Sequence, residues 1–191
     1  MLQVLGKQLI TPPAAGSDIP AAMREYLNLS PGVDSDTFLS ALYLRAADII
    51  ENRTGLSCLP CTWKLYFSGD GEILRLPLFP VSAAALLSPV FTPGFPASAG
   101  DGVQPSFILQ PAAGCYYELA FDRKLEGSWT VQVDAGYRAP EIIPPAAVAA
   151  IYAVAADLYE HREAESEGNL TENRTVKMAI DSLTFLHAGG V

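Results

Sequence analysis

Residues 62–77 read TWKLYFSGDGEILRLP, a stretch in which two runs of aromatic and aliphatic residues flank a pair of glycines. The runs at 63–67 and 73–77 have the composition that is typical of β-strands. Gly69, Asp70 and Gly71 lie between them, and these residue types tolerate the positive φ angles that tight turns need. The stretch therefore predicts a β-hairpin whose turn lies at Asp70.

The same period-2 pattern extends over about residues 59–137. Further strands are predicted at 84–90, 107–109, 116–121 and 129–133, with a Pro- and Gly-rich loop at 92–104. These strands predict one compact antiparallel β module, inserted between helices.

Helices are predicted at about 19–29, 35–54, 144–163 and 173–187. The clearest begins after Asp34 or Ser35, which can cap it, and ends at Gly55. Pro144 and Pro145 favour the start of the second long helix. The predicted fold class is α+β: an α-helical bundle (two long helices plus shorter N- and C-terminal helices) with the antiparallel β module inserted. Residues 18–187 are interpreted as one domain, 1–17 as a flexible or partner-bound arm, and 188–191 as a tail.

Composition limits the function classes. Half of the 191 residues are hydrophobic and 17% are charged, so the chain can bury a core. A net charge of −9 argues against a nucleic-acid-binding surface, because DNA affinity comes mainly from Lys and Arg. No segment has the length or hydropathy of a signal peptide or a membrane helix.

The cysteines do not predict a metal or redox site. Cys58 and Cys61 have the two-residue gap of zinc and thioredoxin-like motifs. However, the residues after Cys61 predict a strand where a redox motif would open a helix, and the histidines, His161 and His187, are far away in sequence. Both thiols are interpreted as buried and structural, in a reducing compartment.

A cluster of carboxylates, Glu160, Glu163, Glu165 and Glu167, could in principle bind a divalent cation. The surrounding sequence is polar and loose, so the cluster is interpreted as a solvated charge run. No catalytic residue, cofactor site or metal site is predicted, and the chain is expected not to be an enzyme.

Several short motifs occur in an order that is similar to one known family. They are IIENRTG (49–55), TWKL (62–65), ILRLP (73–77), WTVQVDAGY (129–137), IPPA (143–146) and YEHRE (159–163). Together they cover about residues 20–187 and resemble the phage head–tail connector (adaptor) family, in the branch with a β insertion between its helices.

The resemblance implies a structural virion protein of a tailed double-stranded DNA phage or prophage. It implies a ring of identical subunits, commonly twelve, that docks beneath the portal protein and receives stopper or tail proteins. DNA would pass through the lumen without specific binding, with no membrane involved, and assembly would occur in the host cytoplasm.

Two sets of contact residues follow from this reading. The C-terminal segment, 173–191, would reach the portal through Val176, Ile180, Leu183, Phe185 and Leu186. The long helices would leave apolar side chains for a closed heterologous ring; these are Phe38, Leu42, Ile49, Ile151 and Leu158. Packing of the last helix back onto its own domain is the alternative for the first set.

Other functions stay open at this stage. Within the structural class, the chain could be a tail-terminator or stopper protein. From other classes, it could be a small metal-dependent hydrolase that uses the cluster between Glu160 and Glu167, or a small-molecule binding module built on the β insertion.

Overall fold

The computed structural model describes residues 2–87, 105–112, 116–138, 142–161 and 174–188, the last five of these by backbone alone. The elements in chain order are β1 (Leu2–Thr11), α1 (Ile19–Tyr26), α2 (Asp36–Thr54), β2 (Cys61–Leu76), β3 (Val81–Leu87), β4 (Phe107–Ala112), β5 (Tyr116–Ala135), α3 (Pro145–Glu160) and α4 (Arg174–Ala188). The chain divides into two compact units. The sheet unit contains all five of these strands, and the helical unit contains the four helices.

The sheet unit is one antiparallel sheet in the order β1-β2-β5-β3, with β4 also paired to β5. Strands β2 and β5 pair from Cys61 opposite Ala135 to Leu76 opposite Tyr117. β3 pairs with the C-terminal half of β5 and β4 with its N-terminal part. The two longest strands therefore form the spine of the sheet, and the short strands extend it on either side.

The predicted hairpin at Asp70 is wrong. Residues 61–76 form the single strand β2, and Gly69 pairs with Gly127 inside it. Both glycines have positive φ, 127° and 84°, and the ladder shifts register between Gly71 and Ile73. Glycines at such angles can bend a strand as well as reverse it. The strand continues past these positions because β5, at 20 residues, supplies pairing partners on both sides of them.

The predicted helical bundle with an inserted β module is also wrong. The structure is α+β and is dominated by an antiparallel sheet of five described strands, whose own hydrophobic core holds fifteen buried residues from Leu2 to Ala135. The sheet is not built only from residues between the helices either, because its strand β1 precedes α1 in the chain. Leu2–Thr11, expected as a flexible arm, form strand β1 along β2, with Leu2 opposite Gly69 and Thr11 opposite Thr62. Local composition missed β1 because its partner lies about 60 residues away.

Two buried side-chain polar atoms in the described part of the sheet have no hydrogen-bond partner, Nε1 of Trp63 and the hydroxyl oxygen of Thr130. The side chain of Thr130 is 1% exposed, and its hydroxyl makes no hydrogen bond within the part of the chain that the structure describes. A buried hydroxyl without a partner costs about 1–3 kcal/mol relative to one that is solvated.

We therefore expect Thr130→Val, which keeps the shape and the β-branch, to raise the free energy of unfolding by about 1 kcal/mol. Chemical denaturation followed by tryptophan fluorescence measures this. Thr62→Val is the matched control, because the Thr62 hydroxyl donates a 2.8 Å hydrogen bond to Asp134 and its loss should destabilise. Equal losses in both variants would contradict the interpretation of Thr130.

The helical unit is built around α2. The hydroxyl of Ser35 accepts a hydrogen bond from the amide of Phe38 at 3.2 Å, which caps the first turn. Gly55 ends the helix with φ of 75°, and its amide donates to the carbonyl of Glu51 at 2.7 Å. Helices α1, α3 and α4 all contact α2, and α4 also contacts α3.

Aromatic side chains link three of these helices. The ring of Tyr152 on α3 stacks on Tyr26 of α1 at 5.0 Å and meets the edge of Tyr43 on α2 at 5.9 Å. The hydroxyl of Tyr159 donates to the carboxylate of Asp34 at 2.6 Å, which holds the end of α3 against the loop before α2. None of the described helices is long and apolar enough to span a membrane.

Candidate functional site

The five predicted ring-interface residues fall into two groups. Leu42 and Ile151 are buried inside the helical unit, at 7% and 0% exposure. Phe38, Ile49 and Leu158 are partly exposed on the same long helices. An apolar side chain that is already buried within the chain cannot also contact another molecule. Of these five residues, only the second group can therefore take part in such a contact.

Three of the five predicted portal-contact residues on α4 are buried within the helical unit. Val176, Ile180 and Leu183 are 8%, 4% and 1% exposed, and α4 packs on α2 and α3. The side chains of Phe185 and Leu186 lie outside the described residues. The alternative weighed from the sequence, that α4 packs back on its own domain, is the arrangement of the three described side chains.

The two described cysteines are both buried. Cys58 and Cys61 are free thiols at 2% and 6% exposure. Burial, assisted by the nearby negative charge of Glu51, raises the pKa of Cys58 to about 12. The thiolate is the nucleophilic and metal-binding form, so a thiol that keeps its proton at neutral pH supports a structural role.

This pKa makes stability depend on alkaline pH. The Cys58 thiol loses its proton near its ordinary value of 9.0 when unfolded, but only near 12 when folded. Between these two pH values the unfolded state binds fewer protons at Cys58 than the folded state does. The free energy of unfolding should therefore fall by about 1.4 kcal/mol per pH unit. Below about pH 9 the contribution is constant.

The comparison that isolates this effect is denaturation of the parent chain and of Cys58→Ala between about pH 8 and pH 10. Burial also raises the pKa of Tyr43 to about 12, but its slope begins only above its ordinary value of 10.0. We expect the parent chain to lose stability faster than the variant over this range. Identical slopes would show that the thiol is not protected from ionisation.

The groups weighed for catalysis do not converge within the described residues. Glu160 is exposed at the end of α3, and Glu163, Glu165 and Glu167 lie outside the described residues. No group of three His, Cys, Asp or Glu with metal-site geometry occurs among the residues searched, which are those the structure describes. His161 is half exposed, with Nδ1 at 2.8 Å from the carbonyl oxygen of Asp157.

A groove on the sheet unit is too charged and open for the small-molecule alternative. It has a volume of about 550 Å³ and is lined by Asp70, Gly71, Glu72, Ile73, Arg75, Glu118 and Lys124. Its charges pair with each other across strands: Arg75 Nε lies 2.9 Å from Glu118 Oε1, and Lys124 Nζ lies 2.7 Å from Asp70 Oδ2. The hypothesis of a small-molecule binding module requires an apolar pocket. This groove is instead a surface of solvated ion pairs.

A row of apolar residues that was not predicted from the sequence begins at Ile73, which lines this groove. Ile73 on β2 is opposite Ala120 on β5, which is opposite Ile108 on β4. Ile73 and Ile108 are 50% and 68% exposed, so the row lies on the face of the sheet away from its core. These residues become neighbours only through the pairing register of β2, β5 and β4. The sequence around each residue contains no pattern that predicts this.

The comparisons with known proteins give structural matches only. No family model matches the chain. No curated protein matches it either.

Three matched chains come from structures of gene transfer agent particles. A chain of "Virion of native gene transfer agent (GTA) particle" is 21% identical with a TM-score of 0.66, over 96% of this chain and 94% of that chain. A chain of "Neck of empty GTA particle computed with C6 symmetry" is 20% identical with a TM-score of 0.66, over 96% and 94%. A chain of "Neck of native GTA particle computed with C12 symmetry" is 19% identical with a TM-score of 0.63, over 92% and 94%. At these identities the likeness is one of fold.

Proposed function

We propose that this chain is a structural neck protein of a tailed phage-like particle, and specifically the adaptor that joins head to tail. Copies of it form a ring beneath the portal, extend the DNA channel and receive the stopper or tail proteins. Its action is assembly, with no chemical turnover.

The observation that carries this proposal is the extent of the structural likeness. The match spans more than nine tenths of both chains, so both the sheet unit and the helical unit have counterparts in the matched chains. Two of the matched structures are particle necks computed with C6 and C12 symmetry. A protein repeated around such an axis meets its copies through heterologous contacts, which close into a ring.

The charge of the chain supports a conduit for DNA. With 21 acidic and 12 basic residues, a ring of these subunits carries a large negative charge. Phosphates bind where Lys and Arg release their counterions, so a wall rich in carboxylates lets DNA slide without holding it.

The partly exposed residues of the long helices are our proposed helical contribution to the ring. Phe38, Ile49 and Leu158 are available to a neighbour, whereas Leu42 and Ile151 support them from inside the subunit. Contact of α4 with the portal is also a proposal, and it requires α4 to change its position. Val176, Ile180 and Leu183 can contact another protein only if α4 dissociates from α2 and α3. Exposing each of these buried side chains would cost about 1.5–3 kcal/mol of free energy.

The test is co-expression of the chain with the portal protein and with the tail proteins encoded beside it, followed by native mass spectrometry and negative-stain imaging. We expect rings bound to the portal, with twelve copies of the chain. A chain that stays monomeric and never joins the portal would overturn the proposal. Binding to tail proteins in preference to the portal would instead identify a tail-terminator or stopper protein.

A further inference from the structure

Strand β1 is an open edge of the sheet. Within the described part of the chain it pairs with β2 alone, so the outward peptide groups along its ten residues face away from the sheet. Leu5, Leu9 and Ile10 are 65%, 38% and 48% exposed along it. Long apolar edges invite pairing with another chain, and proteins that stay monomeric guard them with charges, prolines or short strands.

Strand β3 forms an open edge on the opposite side. Among the described residues it pairs only with β5, over Val81–Leu87. Neighbouring strands in β1-β2-β5-β3 are all antiparallel, so β1 and β3 run in opposite directions. A second subunit placed beside the first in the same orientation therefore brings its β1 antiparallel to β3, which continues the alternation of the sheet.

The side chains of the two edges are complementary. Leu9 is opposite Trp63 on the core face of the sheet. Ala84 and Leu86 pack against that same core from β3. Residues 82–85 of β3 are Ser-Ala-Ala-Ala, which leaves room beside it for the larger side chains of a β1 strand. Joining the edges would extend one hydrophobic layer from subunit to subunit.

The charge pattern also favours contact between copies. The chain has 21 acidic residues, yet 1–17 and 73–100 contain none, and these segments include both edge strands. Copies of a chain with a net charge of −9 repel one another, and close approach is least costly where carboxylates are absent.

From these observations we propose that β1 of one subunit pairs edge to edge with β3 of the next, so that a continuous antiparallel sheet runs around the ring. This inference rests on the proposed function for the existence of a ring, and adds to it the surface that closes it. The partner is a second copy of this chain.

The first experiment is amide hydrogen exchange of the parent chain as a monomer and in rings, alone or with the portal. We expect exchange in 2–11 and 81–87 to slow by at least about tenfold in the ring, because edge amides gain partners. Rings in which neither strand gains protection would overturn the inference and leave the proposed function intact. A chain that forms no ring under any condition would overturn both.

The second experiment separates loss of the contact from loss of the fold. Leu9→Glu places a charge on the β1 edge and leaves β3 intact, whereas Ala85→Glu does the reverse. Each variant alone should form no rings while keeping the circular dichroism of the parent chain. An equimolar mixture should form dimers and stop there, because one intact edge from each variant completes a single interface.

Met178→Glu is the matched control, since Met178 is 62% exposed on α4 and belongs to neither edge strand; it should assemble like the parent chain. Mixtures of the two edge variants that contain only monomers would overturn the inference. So would normal rings from either edge variant alone.

Discussion

Replacing Phe67 by alanine is expected to lower the free energy of unfolding of the sheet unit by about 3–5 kcal/mol. Phe67 is fully buried in the middle of β2. Its ring stacks on Phe121 of β5 at 6.3 Å, within the core cluster of the sheet. Removing the ring loses its burial and leaves a cavity that the paired strands on either side cannot close.

Tryptophan fluorescence reports this change selectively. The chain has two tryptophans, Trp63 and Trp129, and both lie in the sheet unit. Denaturation followed by fluorescence should show a lower midpoint denaturant concentration for Phe67→Ala than for the parent chain. The control variant Ile108→Ala should show a much smaller shift. Ile108 is 68% exposed on β4, and its truncation should cost less than about 0.5 kcal/mol. Similar losses in the two variants would mean that the sheet lacks the packed core described above.

Replacing Ile151 by alanine is expected to destabilise the helical unit by about 2–5 kcal/mol. Ile151 is fully buried on α3 and belongs to the set predicted for the ring interface. Because its side chain is covered within the subunit, truncation should damage the fold of the monomer itself. A residue that contacted only a neighbouring copy would change assembly and leave the stability of the monomer unaltered.

Far-ultraviolet circular dichroism measures the second effect, because all the described helices lie in the helical unit. Met178→Ala, at 62% exposure on α4, is the control and should leave the helical transition within about 0.5 kcal/mol of the parent. Because the fold has two units, the two probes need not report one transition. A monomer of Ile151→Ala as stable as the parent chain would contradict the packing of α3.

These two sets of results bear on how the proposed ring would form. The ring interface was predicted on apolar stripes of the long helices, and in the structure Leu42 and Ile151 of those stripes are buried within the helical unit. The residues that we propose for contact with a neighbour are the partly exposed Phe38, Ile49 and Leu158 and the edge strands β1 and β3. The stability of Ile151→Ala and the assembly of Leu9→Glu therefore distinguish residues that build the subunit from residues proposed to join subunits.

Signals that act within a few residues were readable from the sequence. Ser35 and Gly55 enclose α2 because a hydroxyl can accept from an amide three residues on, and because glycine tolerates left-handed backbone. Pro144 immediately precedes α3, and its fixed φ suits the start of a helix. Composition alone likewise argued against a DNA-binding surface.

Only the tertiary structure decided what depends on distant partners. Gly69 and Gly71 are compatible with either a turn or a continuous strand. Here the strand continues, because β5 pairs with residues of β2 on both sides of these glycines. Residues 2–11 become a strand because β2 pairs with them. The exposure of each apolar side chain on the long helices depends on which neighbouring helix covers it. Caps and prolines act through bonds within one turn, whereas strand pairing and burial depend on contacts between residues far apart in the chain, which no local pattern encodes.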